Sequence, residues 1–405
     1  MASKISLKVL GGACIVAGTA IGAGMLALPV VTAMGGLIPS SMIYLICYLF
    51  SIATGLLFVE ICYWMPQNAN LVSMTYHLLG PIGRIFAWIL YIFLFYSLTV
   101  AYVSGGGAFV TMLFQGTIPL WLGDILFSLI FGTIVYMGTV VVDRINFLLV
   151  IGLFISFFVF FIMGVRQIKL ATLMESSDIV NAMMALPVMF TSFSYQGVIP
   201  SLYAYLDRDS KKVRQAILIG AFLPLILYLI WEVLILGIVP LEGLYGLLHA
   251  KKEGWTAVQP LKYFLKTSWV VTVGEFFAFC ALTTSFLGVT LGLVDFLADS
   301  LQIKKEGIKK IFLCLLVYVP STLIACTYPN IFLIALGYAG GIGCVLLLGL
   351  LPICMVWVGR YRKHYTRQAT ELRGGKMMLG LLLLFIVLEL VIEIFQEVQR
   401  LVHSL

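Results

Sequence analysis

Apolar residues run along most of this chain in stretches of twenty or more, each closed by a short group of polar residues, glycine or proline. A hydrocarbon layer about 30 Å thick is crossed by roughly 20 apolar residues in helical form. Eleven stretches meet that length: 8–34, 38–64, 84–114, 122–141, 145–165, 181–204, 213–239, 269–299, 309–326, 331–358 and 377–397. Backbone N–H and C=O groups cannot stay unpaired in lipid, so each stretch predicts a helix or a segment shielded inside a helical bundle. The last run fits least well, because Glu389, Glu393 and Glu397 recur every four residues through its second half. The pattern predicts an all-α integral membrane protein of about 11 transmembrane helices, folded as one polytopic domain over residues 1–405.

Two runs break their own pattern. The first carries Gly18-Thr19-Ala20-Ile21-Gly22-Ala23-Gly24 at its middle, and the sixth carries Pro187, Thr191-Ser192-Phe193-Ser194-Tyr195-Gln196-Gly197 and Pro200. Glycine costs a helix interior about 1 kcal/mol relative to alanine, so three within seven residues predict unwinding. The breaks are five runs apart, which gives the two halves opposite orientations in the membrane. Corresponding interruptions in two inverted halves point to a transporter's binding site. The halves fall at approximately 8–165 and 181–358, with 377–397 as an extra helix.

Composition narrows the class further. Of 405 residues, 62% are hydrophobic and 11% charged, against about 45–50% and roughly 25% in soluble domains. A water-soluble enzyme, a disordered chain and a collagenous one are all excluded. The net charge of +7 reflects cytoplasmic loops rather than a nucleic-acid partner. With the N-terminus inside, eighteen of the 25 Lys and Arg residues fall on one side, including Lys4, Lys8, the Arg208–Arg214 group, the Lys304–Lys310 group and six between Arg360 and Lys376. The eight cysteines form no CxxC pair and read as small packing residues. The first run follows Lys4 and Lys8 as a signal peptide would, but lacks a cleavage site, so it reads as a retained helix. No HExxH, nucleophile elbow or paired His/Asp motif suggests an enzyme, and no metal site or cofactor is expected.

An unwound mid-membrane helix has chemistry of its own. The half-helix after the break presents unpaired N–H groups and a positive dipole end, which favours an anion by roughly 0.3–1 kcal/mol and up to about 2 when partly buried. Here the donors are the amides of Gly22, Ala23 and Gly24, and small side chains let a carboxylate approach them. The half-helix before the break exposes carbonyls suited to an ammonium group or an alkali ion. A site with both ends fits a zwitterion, which means an amino acid. Gly-x-x-x-Gly spacing also serves close helix packing without any ligand.

The strings GTAIGAGMLALP in run 1, FTSFSYQGVIPS in run 6 and TSFLGVTLGLVDFLAD in run 8, with LTVAYVSGGG in run 3 and ALGYAGG in run 10, resemble the hydroxy/aromatic amino acid permeases. Within that family of the amino acid-polyamine-organocation superfamily, the tyrosine-specific permeases are most similar and the tryptophan permeases next. The resemblance spans nearly the whole chain. It implies the LeuT-type 5+5 inverted repeat with broken helices 1 and 6, and proton-coupled uptake of an aromatic amino acid across a bacterial inner membrane. Tryptophan, serine or threonine stand as alternative cargoes, and no obligatory protein partner is evident.

The resemblance also implies a site. Gly22, Ala23 and Gly24 would hold the carboxylate, with Thr19 and Ala20 close by. Phe190, Ser192, Phe193, Ser194 and Tyr195 would supply carbonyls and aromatic walls, and Tyr102 would close over the substrate. The permeases commonly carry histidine where this chain has Gln196, which removes a titratable group. Ala281, Thr284 and Ser285 have the spacing of the sodium site in sodium-coupled members of the same superfold, facing carbonyls at Gly18 and Ile21. The coupling ion is expected to be a proton, with sodium allowed by this set. Ionisable residues inside spans are costly and mark function by default. Glu60, which matches a glutamate of the permeases, and Glu232, within run 7, are the candidates for ion coupling. His77 is expected in a polar loop.

Overall fold

The computed structural model describes residues 6–66, 69–265, 268–365 and 372–404; Lys4 and Arg367 of the charge pattern lie outside them. Every regular element among the described residues is helical. In chain order these are α1a (Leu7–Ala20) and α1b (Ala23–Thr32), α2 (Leu37–Trp64), α3 (Leu71–Leu113), α4 (Leu120–Met137) and α5 (Thr139–Gly164). The second half holds α6a (Leu186–Ser192) and α6b (Ile199–Tyr205), α7 (Ser210–Ile238), α8 (Ser268–Leu301) and α9 (Gly307–Thr327). The chain ends with α10 (Phe332–Tyr361) and α11 (Gly375–Ser404). Among the described residues, nine helices are long and apolar enough to cross a membrane unbroken, and α1a with α1b, bent by 53°, makes a tenth if the pair is one span. The sixth run consists of the short helix Ile179–Met184, α6a, a 3₁₀ turn at Gln196–Val198 and α6b, none of which reaches span length alone.

Local chemistry moved two boundaries. The third run was expected to start at 84, yet α3 starts at Leu71, where Asn70 accepts a hydrogen bond from Ser73 N at 2.8 Å and caps the helix. The segment that pattern assigns to a polar loop is therefore helical, and His77 lies on it. Gly80, with φ 79, and Pro81 set the kink that separates this piece from the span. The turn between α4 and α5 is at Gly138, φ 111, rather than at 142–144. Only glycine adopts that conformation without strain, so Asp143 and Arg144 are carried into the first turns of α5.

α1b packs against α6a, α7 and α8; α1a packs on α7 and α6b; α5 lies along α8; α11 rests on α10 and α6a. One side of the two breaks is sealed. All ten residues of α1b are buried, and the chain beyond it is bonded down through Ala257 N to Leu26 O (2.8 Å) and Asp178 N to Gly35 O (3.0 Å). On the other side Gly18 and Thr19 of α1a, Gly197 beside α6b and Gly288 of α8 are exposed. A Cβ built on any of those three glycines meets nothing within 4 Å. The breaks thus open toward the side that carries Lys8. There Lys8 Nζ donates to Asp207 at 2.6 Å, joining the start of α1a to the turn after α6b. The ammonium holds the Asp207 carboxyl below the usual carboxylate range.

Candidate functional site

At the first break, Ile21 and Gly22 are extended and α1b restarts at Ala23. Ala23 N donates to Ser285 Oγ of α8 at 3.0 Å. A side chain on Gly22 would overlap that oxygen, and a Cβ on Gly24 would stand 2.5 Å from Ser192 Oγ and 3.3 Å from Ser192 Cα. The glycines therefore do what close backbone approach requires: they let α1b touch α8 on one face and α6a on the other. The terminal amide of α1b is thus reached by a neutral hydroxyl.

At the second break α6a ends at Ser192 with Phe193 as its cap, and the chain turns through Ser194 and Tyr195. Tyr228 of α7 connects the two breaks. Its hydroxyl is 2.6 Å from Ala20 O, the end of α1a, and 2.8 Å from Ser192 O, the end of α6a. Each carbonyl belongs to the negative dipole end of a half-helix, and one phenol proton is shared between them. These are carbonyls of the kind that suit an ammonium group. Tyr228→Phe leaves both without this donor. Since a buried unpaired polar group costs about 1–3 kcal/mol, the variant is expected to melt earlier than the parent in detergent. An unchanged midpoint would show that the hydroxyl holds nothing together.

Around Tyr228 the walls are aromatic. Phe193 meets it edge-on at 5.1 Å, and Tyr44 packs at a tilt on Phe193 at 6.1 Å. Tyr44 donates to Glu232 at 2.8 Å, and Thr32 of α1b donates to the other carboxylate oxygen of Glu232. Glu232 therefore ties α7 to α1b and α2, one turn beyond Tyr228. Tyr102 of α3 is buried with its phenol near Ser285.

The structure brings Ala20, Gly22, Ala23, Gly24, Ser192, Phe193, Tyr102 and Ser285 together at the crossing of the breaks. Phe190 instead packs on Phe50 and Phe385 at 5.2 and 6.4 Å, and Ser194 Oγ bonds to Phe190 O. Tyr195 donates to Ser51 O of α2 at 3.1 Å, and Gln196 Nε2 to Thr54 at 2.9 Å. Thr19 bonds to its own helix at Ile15 O and faces the opening, beside Gly18. Within the hard-oxygen set, Thr284 bonds to Ala281 O of its own helix at 3.1 Å, while Ser285 serves Ala23; Ile21 is buried in the bend. Glu60 is held by Arg360 through two bonds of 2.7 and 2.5 Å at the far end of α2. Among the described residues no group of three His, Cys, Asp or Glu could hold a metal ion.

Sequence reasoning passed over Tyr228, Tyr44 and Arg360. The signal for Tyr228 was present: it is four residues before Glu232, so both occupy one face of α7.

Residues 5–393 match the tryptophan/tyrosine permease family. A tryptophan-specific transport protein of Haemophilus influenzae is 30% identical over 97% of each chain. Tyrosine-specific transport system 1 of the same organism is 32% identical over 94% of this chain and 95% of its own. A tyrosine permease of Enterobacter agglomerans is 26% identical over 97% and 98%. Among solved structures, a mutant manganese transporter of Eremococcus coleocola superposes with a TM-score of 0.65 over 96% of this chain and 86% of that one, at 13% identity. That likeness is one of fold, the LeuT-type arrangement, and carries no cargo with it.

Proposed function

From the premise that this chain belongs to the tryptophan/tyrosine permease family, a family of multi-pass membrane transporters and not of enzymes, we propose that it imports an aromatic amino acid, tyrosine in the first instance, by proton symport across the bacterial inner membrane. The observation that carries the reading is the crossing of the two breaks, where a positive half-helix end at Ala23, two negative ends at Ala20 and Ser192, and the rings of Phe193, Tyr44 and Tyr228 converge. A zwitterion with an aromatic side chain matches that set. Its carboxylate displaces Ser285 Oγ from Ala23 N, and its ammonium competes with the Tyr228 proton for the two carbonyls. The excess of Lys and Arg on the open side supports a cytoplasmic N-terminus, so this conformation faces inward. Alternating access then consists of α1a closing on α8 while the chain over α1b lifts away.

Tryptophan is the second reading, since relatives named for it are as similar as those named for tyrosine. Uptake of labelled tyrosine, tryptophan, phenylalanine, serine and threonine into proteoliposomes, under separate proton and sodium gradients, decides both cargo and ion. Saturable tyrosine uptake driven by the proton gradient is expected; absence of saturable uptake of every aromatic under either gradient would sink the proposal. Ser285→Ala is expected to retain proton-driven uptake. A large loss together with sodium dependence in the parent would transfer coupling to the Ala281, Thr284 and Ser285 set.

A further inference from the structure

Proton symport needs a group that binds the proton, and the acidic residues singled out by the sequence pattern are already engaged. Glu60 is paired with Arg360, and Glu232 accepts from Thr32 and Tyr44. Gln196 does not titrate. On α11, by contrast, Glu389 and Glu393 are 0% and 3% exposed, and none of their four carboxylate oxygens has a hydrogen-bond partner. They lie one turn apart on the face packed against α10 and α6a.

The element they face is unusual. Over Ala339–Leu350, α10 is a π-helix of twelve residues, a form found mostly as single turns and frequently at functional sites. Two consecutive glycines, Gly340 and Gly341, follow its first residue. A Cβ on Gly341 would stand 2.5 Å from Glu393 Oε2 and 2.8 Å from its Cδ, while a Cβ on Gly340 would overlap Pro187 O and Thr191 Oγ1 of α6a. One turn of α10 thus touches the Glu393 carboxylate on one face and the broken helix on the other. Glu389 also lies in electrostatic range of Cys47 on α2 and of Cys344 on α10, and Cys344 lies near Ser194 at the second break.

Among the described residues, the charged groups in range of the pair lie on α11 itself. α6a and the short helix Ile179–Met184 carry none. Glu393 has Arg400 and Glu397 in range, but Arg400 is bonded to Glu397 at 3.0 Å, and Tyr338 of α10 donates to the same oxygen at 2.8 Å. Lys251 lies in range of Arg400, on the loop side. Glu397 is 37% exposed, so Glu397, Glu393 and Glu389 form a ladder from the surface to the α6 break. An ionised carboxylate without a partner in such surroundings costs several kcal/mol, and two of them one turn apart repel. A proton on the pair removes both costs.

We infer that Glu389 and Glu393 bind the transported proton, and that the pair reads the position of α6a through the glycine-led π-segment of α10. The inference rests on the symport reading above. With the N-terminus inside, the ladder opens at the outer face, the side from which an imported proton arrives.

The test uses Glu389→Gln and Glu393→Gln in the full chain, with Glu389→Asp and Glu393→Asp where a Gln variant yields no monodisperse protein. Both Gln variants are expected to lose proton-driven accumulation of labelled tyrosine while retaining counterflow exchange, which needs no net proton movement. Infrared spectra of the parent are expected to show a carboxylic-acid C=O band that titrates with pH and is lost in the variants. Full proton-driven accumulation in both variants, or an unchanged band in both, would overturn the assignment. A parent that transports no aromatic amino acid but shows this band, lost in the variants, would refute the symport reading and leave the proton site standing.

Discussion

Gly24→Val abolishes uptake of labelled tyrosine without unfolding the protein: this is the expected result with the largest effect on function. The new Cβ would stand 2.5 Å from Ser192 Oγ and 3.3 Å from Ser192 Cα. The hydroxyl can rotate away, but the α-carbon cannot, and it belongs to the last turn of α6a. Valine's two branches deepen the conflict, and overpacking of this kind costs about 1–3 kcal/mol. That is enough to part α1b from α6a while sparing the rest of the bundle. The separation moves Ala23 N away from the carbonyls of Ala20 and Ser192, so a ligand spanning both ends no longer reaches both. Uptake, with tyrosine-induced thermal stabilisation as the binding readout, measures it; parental uptake by a folded variant would remove the α1b–α6a contact from the mechanism.

The largest expected effect on stability is at the Glu60–Arg360 pair. Its side chains are 2% exposed and joined by two bonds of 2.7 and 2.5 Å, and Arg360 Nη2 also reaches Leu372 O at 3.2 Å. Breaking a buried pair by removing one partner costs about 3–5 kcal/mol, because the other charge is left buried; replacing both with apolar residues is often close to neutral. Arg360→Ala or Glu60→Ala is therefore expected to lower the melting midpoint sharply. The double change Glu60→Leu with Arg360→Met should recover most of the loss. If the double variant melts as low as either single one, the pair does not act as a unit. As placed, it fastens the end of α2 to the end of α10.

How much of this was legible in the sequence follows from how local each cause is. The breaks at 18–24 and 190–197 were legible because glycine and proline act through their own backbone. The run lengths were legible because lipid imposes them. The turn at Gly138 and the helical start at Asn70 are also local, but charge at Asp143 and Arg144 and polarity near His77 pointed elsewhere, and capping outweighed them. Tyr228, Arg360 and the π-segment of α10 depend on what stands across from them, and a hydropathy pattern holds no information about partners. The Glu389–Glu393–Glu397 stripe shows the reverse case. Its spacing was plain and weakened the case for a final span, whereas in the fold its inward end is buried against α10 and α6a.

Tyr228 has one proton and two acceptors, one at the end of α1a and the other at the end of α6a. If either half-helix moves, the hydroxyl can keep the carbonyl that stays. Such a bond is handed over rather than broken, so the buried donor keeps a partner. A rigid clasp at this point would oppose motion of either half-helix, whereas one proton with two acceptors lets one carbonyl leave while the donor stays paired with the other.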